Sequence, residues 1–489
     1  MPVSKYLVFP LLLLLAGCIT LGPDYDRQQS TSWQTEPTVW QQPLPHDGNP
    51  AVLVAWWAQF KDPVLLELVD QAQKQSNSMA QAALRIAQAR ALLVTVDAAA
   101  IPNLNAAGSL TRGTYQLGGP VIVATTIQAQ LQAGWEIDLF GGLARASEAA
   151  RARLEAQVAN WHEARISVSA DTASLYTNYR SCEQLVLLTR ADANSRAQTA
   201  RLTQELAQTG FQAPANAALA RASAAEGQGR AVGQRAECDL LVKALVSLTG
   251  LTETALRASL DAGSKDLPKP AMPVVQQVPA QVLLQRPDVA AAERELAAAS
   301  ADIGVREADR YPRLSLLGNV GPLSFESGVG SISATSWSIG PTLSLPIFDA
   351  GRRAANLETA KVAYDVAATN YRTQARRAVR EVEEALVRLD SLNKRETEAV
   401  TASTGYRTSL QAAQDRYKFG LASILDLEET RRLSFNADNV LALVRRDRVN
   451  AYIALYRAVG GGWNADDVAA VQRVMQQQPN QVQTGKLSQ

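Results

Sequence analysis

LARASEAARARLEAQVANWHEARISVSADTASLYTNYRSCEQLVLLTRADANSRAQTARLTQELAQT, from Leu143 to Thr209, contains neither Gly nor Pro and is rich in Ala, Arg, Glu and Gln. A single helix of that length would extend roughly 100 Å at about 1.5 Å per residue, several times the diameter of an ordinary domain. A helix so long cannot be a core helix. Leu154, Val158, Trp161, Val168, Leu175, Tyr179, Cys182 and Val186 fall on one alternating 4-3 series, interrupted by Arg165 and Thr172. That spacing makes a seam for a partner helix, and the polar remainder predicts solvated faces. The run stops at Thr209-Gly210-Phe211-Gln212-Ala213-Pro214, where Gly suits a C-terminal cap and Pro the first turn of a new helix. A helical hairpin follows.

The layout recurs. Arg352 to Phe419 is a second long run, free of Pro and broken by Gly405 alone, and it ends at Phe419-Gly420-Leu421-Ala422-Ser423. Gly210 and Gly420, Gly250 and Gly460, and Pro102 and Pro312 share one offset of about 210 residues. The chain is therefore an internal duplication.

Each long run is preceded by alternating sequence. Ile127, Ala129, Leu131, Ala133, Trp135 and Ile137 point one way, and Gln128, Gln130, Gln132, Gly134, Glu136 and Asp138 the other, which is the period of a strand. Before it, Leu104, Ala106, Gly108 and Leu110 alternate with Asn105, Ala107, Ser109 and Thr111, and the turn region at Gly118-Gly119-Pro120 closes a hairpin. In the second half Leu314, Leu316 and Val320 mark one strand, and Trp337, Ile339, Leu343 and Leu345 another, opposite Ser336, Ser338, Gly340, Thr342 and Ser344. Two environments suit such strands. One is a four-stranded sheet with a wet face; the other is a membrane barrel, with apolar faces on lipid and polar faces on water. Gly and Pro in Leu139-Phe140-Gly141-Gly142 and Ile347-Phe348-Asp349-Ala350-Gly351-Arg352 fit a sharp passage from strand to helix.

At the start, an apolar stretch from Tyr6 to Leu15 follows Lys5 and is too short to span a bilayer, so it reads as a signal-peptide core. It ends in Leu15-Ala16-Gly17-Cys18, which resembles a bacterial lipobox, whose Cys is lipidated and becomes the mature N-terminus. Ile19 rather than Asp after Cys18 implies sorting to the outer membrane. That context favours the membrane reading of the strands. Four strands cannot close a barrel and open edges are not tolerated in hydrocarbon, so several chains must share one.

Gly22-Pro23-Asp24-Tyr25 opens a stretch to about Phe60 with several Pro and with Trp33, Trp40, Trp56 and Trp57, read as an extended arm packing its aromatics on the body. From Pro63 one helical period runs to about Ala99, with Leu65, Leu68, Val69 and Ala72 on its core face. Lys+Arg (48) nearly balance Asp+Glu (47), which argues against a nucleic-acid partner. Neither His46 nor His162 sits in a metal-ligand or catalytic constellation, so no enzyme, metal or cofactor is expected; His162 reads as a helix-surface residue. The tail after Trp463 becomes Gln-rich from Gln476 onward and lacks apolar periodicity, so its end is expected to be disordered.

The lipobox, Gly22-Pro23-Asp24-Tyr25, Trp135-Glu136-Ile137-Asp138-Leu139-Phe140-Gly141, Arg286-Pro287-Asp288-Val289, Leu345-Pro346-Ile347-Phe348-Asp349 and the duplicated hairpins together resemble the TolC-like outer-membrane factors, most closely the NodT-type efflux lipoproteins. The resemblance spans Cys18 to about Gly462. It implies a homotrimer with a twelve-stranded barrel in the outer membrane and a periplasmic tunnel of twelve helices. It also implies a periplasmic adaptor and an inner-membrane, proton-driven pump as partners. Thr209-Gly210-Phe211 and Phe419-Gly420-Leu421 resemble the tip motifs that adaptors contact, although each Gly also serves as a cap. Tyr417, Asp426 and Glu429 match positions lining the closed periplasmic aperture, and three copies of the acidic pair would favour cations. Ala422 departs from members that carry a latching Arg there.

Cys182 and Cys238 each lie 28 residues from Gly210, so antiparallel helices folded at that tip bring them level, on seams that include Leu241, Leu245 and Leu248. In the oxidising periplasm this predicts a disulfide about 40 Å above the tip, the alternative being two buried thiols.

The expected fold is mainly α with a membrane β-barrel portion. Its expected parts are a signal peptide 1–17, a lipidated arm 18–60, a first-repeat helix 61–100, a β-hairpin 101–140 and a helical hairpin 141–260. A linker and helix 261–310, a second β-hairpin 311–350, a second helical hairpin 351–462 and a tail 463–489 complete it. The expected function is a passive export duct for small molecules. A protein-secretion duct and a non-conducting envelope tether are the alternatives.

Overall fold

A computed structural model describes residues 19–26, 56–116, 121–269, 286–328 and 330–461. The signal peptide, Cys18, most of the arm with Trp33, Trp40 and His46, the Gly118-Gly119-Pro120 turn, part of the linker and the tail lie outside the described residues. In chain order the elements are α1 (Pro63–Gln75), α2 (Asn77–Ala98), β1 (Asn103–Tyr115), β2 (Ile122–Ile137), α3 (Gly142–Gln208), α4 (Pro214–Thr249) and α5 (Glu253–Ala262). They continue with α6 (Pro287–Ala308), β3 (Arg313–Ser327), β4 (Gly330–Ser344), α7 (Arg352–Lys418) and α8 (Ile424–Ala458). The chain is mainly helical, and α3 and α7 are each 67 residues long. No helix among the described residues is long and apolar enough to cross a membrane.

The chain folds into two compact units. One draws on Met1–Ser32, Leu84–Val158 and Ala291–Thr373; the other on Trp33–Ala83, Ala159–Ala290 and Gln374–Gln489.

In the first unit the four strands form one antiparallel sheet in the order β1-β2-β3-β4. Each hairpin thus pairs internally and also with the other through β2 and β3. Beside the sheet, Ala149 and Ala152 of α3 pack on Ala297, Ala298 and Ala301 of α6. The Gly22-Pro23-Asp24-Tyr25 motif is anchored there. Arg145, itself buried, donates to the carbonyls of Leu21 (3.1 Å) and Gly22 (3.4 Å) and to Asp24 (2.5 Å), while the Tyr25 hydroxyl donates to Glu293 at 2.6 Å. Gly22 has φ +88°, and a Cβ there would lie 2.3 Å from the Gly304 Cα, so both its backbone angle and its neighbour require Gly.

In the second unit Trp56 stacks on Tyr456 with ring centroids 5.3 Å apart, and Trp57 meets the same ring edge-on at 4.8 Å. These two aromatics pack on the body as the sequence predicts, but Trp56–Phe60, read as the end of an extended arm, is a short 3-10 helix. Asp62 caps α1 by accepting from the Val64 and Leu65 amides (3.1 and 3.2 Å), and it accepts from the Tyr176 hydroxyl at 2.7 Å. Burial, with Asp62 beside it, raises the Tyr176 pKa and keeps that hydroxyl a donor. Arg180, fully buried, donates to the Tyr176 oxygen at 3.0 Å and to the Leu260 carbonyl at 2.8 Å. Arg286 of the Arg-Pro-Asp-Val motif holds Asp288 (2.7 Å), Glu381 (2.8 Å) and the Ala458 carbonyl (2.9 Å).

Three further expectations need correction. The single helix from Pro63 is two, because Ser76 turns extended (ψ 118°) and its hydroxyl accepts from the Met79 amide at 3.3 Å, starting α2 anew. His162 is buried at 1 % exposure, edge-on to Trp161, rather than on the surface. Thr172, read as a break in the seam, is fully buried as well. Both corrections have one cause. The helix α3 is covered on more than one side, so polar residues both on the seam and beside it are enclosed, and Thr172 meets its burial by donating to the Val168 carbonyl at 2.7 Å.

Candidate functional site

The sheet carries two contrasting faces. On one, Ala106, Leu131, Val320 and Trp337 lie in one cross-strand row, and Ile137, Leu314 and Leu343 in another. Leu110 and Trp337 on this face are each 72 % exposed, so it covers no core within the chain. On the other face Asn105, Gln132, Asn319 and Ser338 form a row, with Asn319 donating to Ser338 at 2.7 Å and Gln132 to Gln130 at 3.1 Å. Leu317, Leu323 and Phe325 interrupt that polar face. Among the described residues β1 and β4 each have one strand neighbour, which leaves an unpaired edge on either side.

The hairpin tips belong to the second unit. At the first, the Phe211 amide bonds the Leu206 carbonyl (2.8 Å) and the Gly210 amide that of Ala207 (3.3 Å); at the second, Leu421 bonds Arg416 (2.8 Å) and Gly420 bonds Tyr417 (3.0 Å). These are matching Schellman caps, with Gly210 at φ +80° and Gly420 at φ +72°. Among the described residues nothing beyond the glycine's own chain neighbours lies within 4 Å of where a Cβ would sit at either position, so there the backbone angle calls for Gly. Phe211, Phe419 and Leu421 project into solvent.

The helix starts beyond the tips differ. Pro214 opens α4 with no side-chain cap, whereas Ser423 and Asp426 close a reciprocal capping box on α8. The Ser423 hydroxyl, its amide and the nearby Arg416 hold the exposed Asp426 carboxyl below the usual carboxylate range. A depressed folded pKa stabilises above the unfolded value and is lost as pH falls through the folded one. Protection of the first-turn amides of α8, taken as exchange relative to the unfolded chain at the same pH, is therefore expected to fall at acid pH in the native protein and to lose that dependence in Asp426→Asn. Equal acid dependence in both would show that the box contributes nothing.

Of the other residues expected at the aperture, the Tyr417 hydroxyl shares a hydrogen bond with the Thr203 hydroxyl at 2.8 Å, and Glu429 pairs on the surface with Arg432 at 2.6 Å. Cys182 and Cys238 are joined, with sulfurs 2.07 Å and Cα atoms 5.6 Å apart, tying α3 to α4. The buried positions near Cys238 on α4 are Val242, Leu245 and Thr249, while Leu241 and Leu248 are half-buried.

Sequence reading missed a buried charge cluster next to these residues. Glu428 accepts from Arg196 (2.7 Å) and Ser223 (2.6 Å) and pairs with Arg431. Arg196 also donates to Asp192 at 2.8 Å and Ser223 at 2.5 Å, and Arg431 to Thr199 at 2.9 Å and Ser195 at 3.2 Å. Arg230 reaches Asp192 at 3.1 Å and lies over the Phe435 ring at 5.6 Å. Burial lowers the pKa of Arg431, against the attraction of Glu428. The cluster binds α8 to α3 and α4 and floors a groove of about 390 Å³ lined by Arg196, Ser223, Glu226, Arg230, Arg432 and Phe435. Among the described residues no group of His, Cys, Asp and Glu is arranged to hold a metal.

The model of the outer membrane efflux protein family matches residues 68–251 and again 278–461, once in each half of the duplication. The chain belongs to this family. Nodulation protein T of Rhizobium leguminosarum bv. trifolii is 30 % identical over 92 % of this chain and 96 % of its own. Outer membrane protein OprJ of Pseudomonas aeruginosa is 31 % identical over 95 % and 97 %. The open-state crystal structure of the Neisseria gonorrhoeae MtrE outer membrane channel covers 91 % of this chain and 99 % of that one, at a TM-score of 0.76 and 26 % identity. This outer membrane efflux protein thus shares its fold with outer-membrane channels. Its role is that of an efflux duct and not of an enzyme.

Proposed function

We propose that three copies close one twelve-stranded barrel in the outer membrane and one periplasmic helical tunnel, forming the passive outer-membrane duct of a tripartite efflux system for small molecules. The observation carrying this reading is the sheet, with a lipid-compatible face, a face rich in polar side chains, and an unpaired edge on each side. Each unsatisfied backbone group in hydrocarbon costs several kcal/mol, and one exposed edge alone would exceed the roughly 5–15 kcal/mol that keeps a protein folded. Pairing β4 of one copy with β1 of the next removes every edge.

In this reading Cys18 carries the lipid anchor, as its lipobox resemblance implies. Gly210, Phe211, Gly420 and Leu421 receive a periplasmic adaptor, since the exposed apolar tips leave side-chain-free glycines open to close approach. The adaptor connects to a proton-driven inner-membrane pump. Tyr417, Asp426 and Glu429 surround the periplasmic aperture, where three copies of each carboxylate favour cations. Asp426→Asn with Glu429→Asn is then expected to lower cation preference in planar-bilayer recordings, and unchanged selectivity would place the constriction elsewhere.

The partners are tested by cross-linking intact cells, purifying this protein and identifying what accompanies it by mass spectrometry. An adaptor with a proton-driven pump is the expected recovery. An ATP-driven exporter would reassign the duct to protein secretion, and cell-wall material without any transporter would make it a tether.

A further inference from the structure

The duplication leaves one anchor seated in the first repeat and its counterpart unseated in the second. Where β2 passes into α3, Phe140 lies against Tyr311 with ring centroids 4.9 Å apart. Tyr311 belongs to the short turn joining α6 to β3, closed by the Arg310 amide on the Glu307 carbonyl (3.1 Å) and the Tyr311 amide on Ala308 (3.0 Å). The cleft there is completed by Leu143, Ala146, Val305 and Pro312.

The same turn joins α2 to β1. Both preceding helices have 22 residues, and the Ala100 amide bonds the Asp97 carbonyl (3.1 Å) and the Ile101 amide that of Ala98 (3.3 Å). Ile101 therefore stands where Tyr311 stands, followed in each case by Pro and a strand. Yet Ile101 is 61 % exposed. The counterpart of Leu139-Phe140 is Ile347-Phe348, leaving β4 for α7, and these are 92 % and 90 % exposed. Two large apolar side chains and the turn that would receive them thus lie bare at the two ends of the sheet's strand order.

We propose that Ile347 and Phe348 seat on the Ala98–Pro102 turn of a second copy of this chain, with Phe348 over Ile101, as Phe140 seats on Tyr311 within one copy. The occupant is a second copy because the internal contact supplies its template: the same strand–anchor–turn arrangement, continued across the unpaired edge. The template also fixes the register. Trp135 faces Leu316 and Ile137 faces Leu314 across β2 and β3. Phe140 to Phe348 is a step of 208 residues and Tyr311 to Ile101 one of 210. The same steps put Leu343 opposite Ala106, and Leu345 opposite Leu104, of the second copy. Apolar then meets apolar along the joint, on the face that already carries the apolar rows. This deepens the trimeric reading and rests on it.

The test introduces Phe348→Cys and Ile101→Cys into the full-length protein, extracted in detergent after expression in an outer-membrane host. Cys182 and Cys238 are already joined, and each single variant, Phe348→Cys or Ile101→Cys alone, keeps Cys18 and is expected to remain single-chain, so bands seen only with both introduced thiols report on the joint. Mild oxidation followed by non-reducing electrophoresis is expected to shift the protein from a single-chain band to two- and three-chain bands, which reductant abolishes. Phe348→Cys with Val232→Cys, an exposed position on α4, is expected to remain single-chain. Native mass spectrometry of the same preparations separates the failures. Trimers without a cross-link at the 348–101 pair would overturn this joint and leave the trimeric duct standing. A single-chain species by both measurements would overturn both.

Discussion

Replacing Glu428 with Ala is expected to destabilise the hairpin tips by about 3–5 kcal/mol, the range found when one partner of a buried ion pair is removed. Among the described residues its carboxylate is the one hydrogen-bonded to Arg431, whose side chain is 3 % exposed, and it also holds Arg196 and Ser223. Without it two guanidiniums face each other out of water, with Asp192 left to compensate. The loss should appear as a lower unfolding midpoint. It should also appear as raised basal conductance, because α8 carries the expected aperture residues Asp426 and Glu429 on the turn that Glu428 ties to α3 and α4. Glu428→Gln removes the charge and keeps one acceptor oxygen, its amide NH2 replacing the other beside an arginine donor, and should fall between. Glu428→Leu with Arg431→Met should recover most of the stability, since a well-packed apolar pair tolerates burial at least as well. A Glu428→Ala protein with native midpoint and conductance would show that the cluster bears no load.

Removing the Cys182–Cys238 bond is the second large effect. It closes a loop spanning 56 positions of sequence, for which chain entropy gives about 4 kcal/mol in favour of the cross-linked form. Cys182→Ser with Cys238→Ser should lower the calorimetric midpoint, and reductant should lower that of the native protein similarly while leaving the double variant unmoved. A linked peptide pair should appear in non-reducing digests. Free, labelled thiol at both positions in protein taken from an oxidising compartment would end the prediction.

Long elements were legible because their periods are distinct. Alternation by two in Ile127 to Asp138 and 4-3 spacing in Leu154 to Val186 have one structural solution each, and the Gly-Pro punctuation marks their ends. The break at Ser76 was hidden, since Gln73-Lys74-Gln75-Ser76-Asn77 holds no Gly or Pro and the apolar period bridges it. The capping box was legible in Ser423 and Asp426, three apart, but charge counting masked it. The buried cluster leaves only a partial mark in the sequence, because Asp192 with Arg196 and Glu428 with Arg431 have the helical spacing of any surface pair. What buries them is contact between positions 232 apart, such as Arg196 with Glu428, and no local pattern records such a separation. The burial of His162 is likewise absent from its local sequence, in which it stands between Trp161 and Glu163.

The equal lengths of α3 and α7 have an evolutionary corollary. Thr203 near the end of one meets Tyr417 near the end of the other, so the two hairpins are registered at their tips. Lengthening one helix by a heptad would carry its Schellman cap a full two turns, roughly 10 Å, past the other and break that register. Descendants of this chain can grow or shrink along this direction only by paired insertions or deletions, matched in both halves and both arms of each hairpin. Drift in length should be rare here and abundant in the strand-connecting loops.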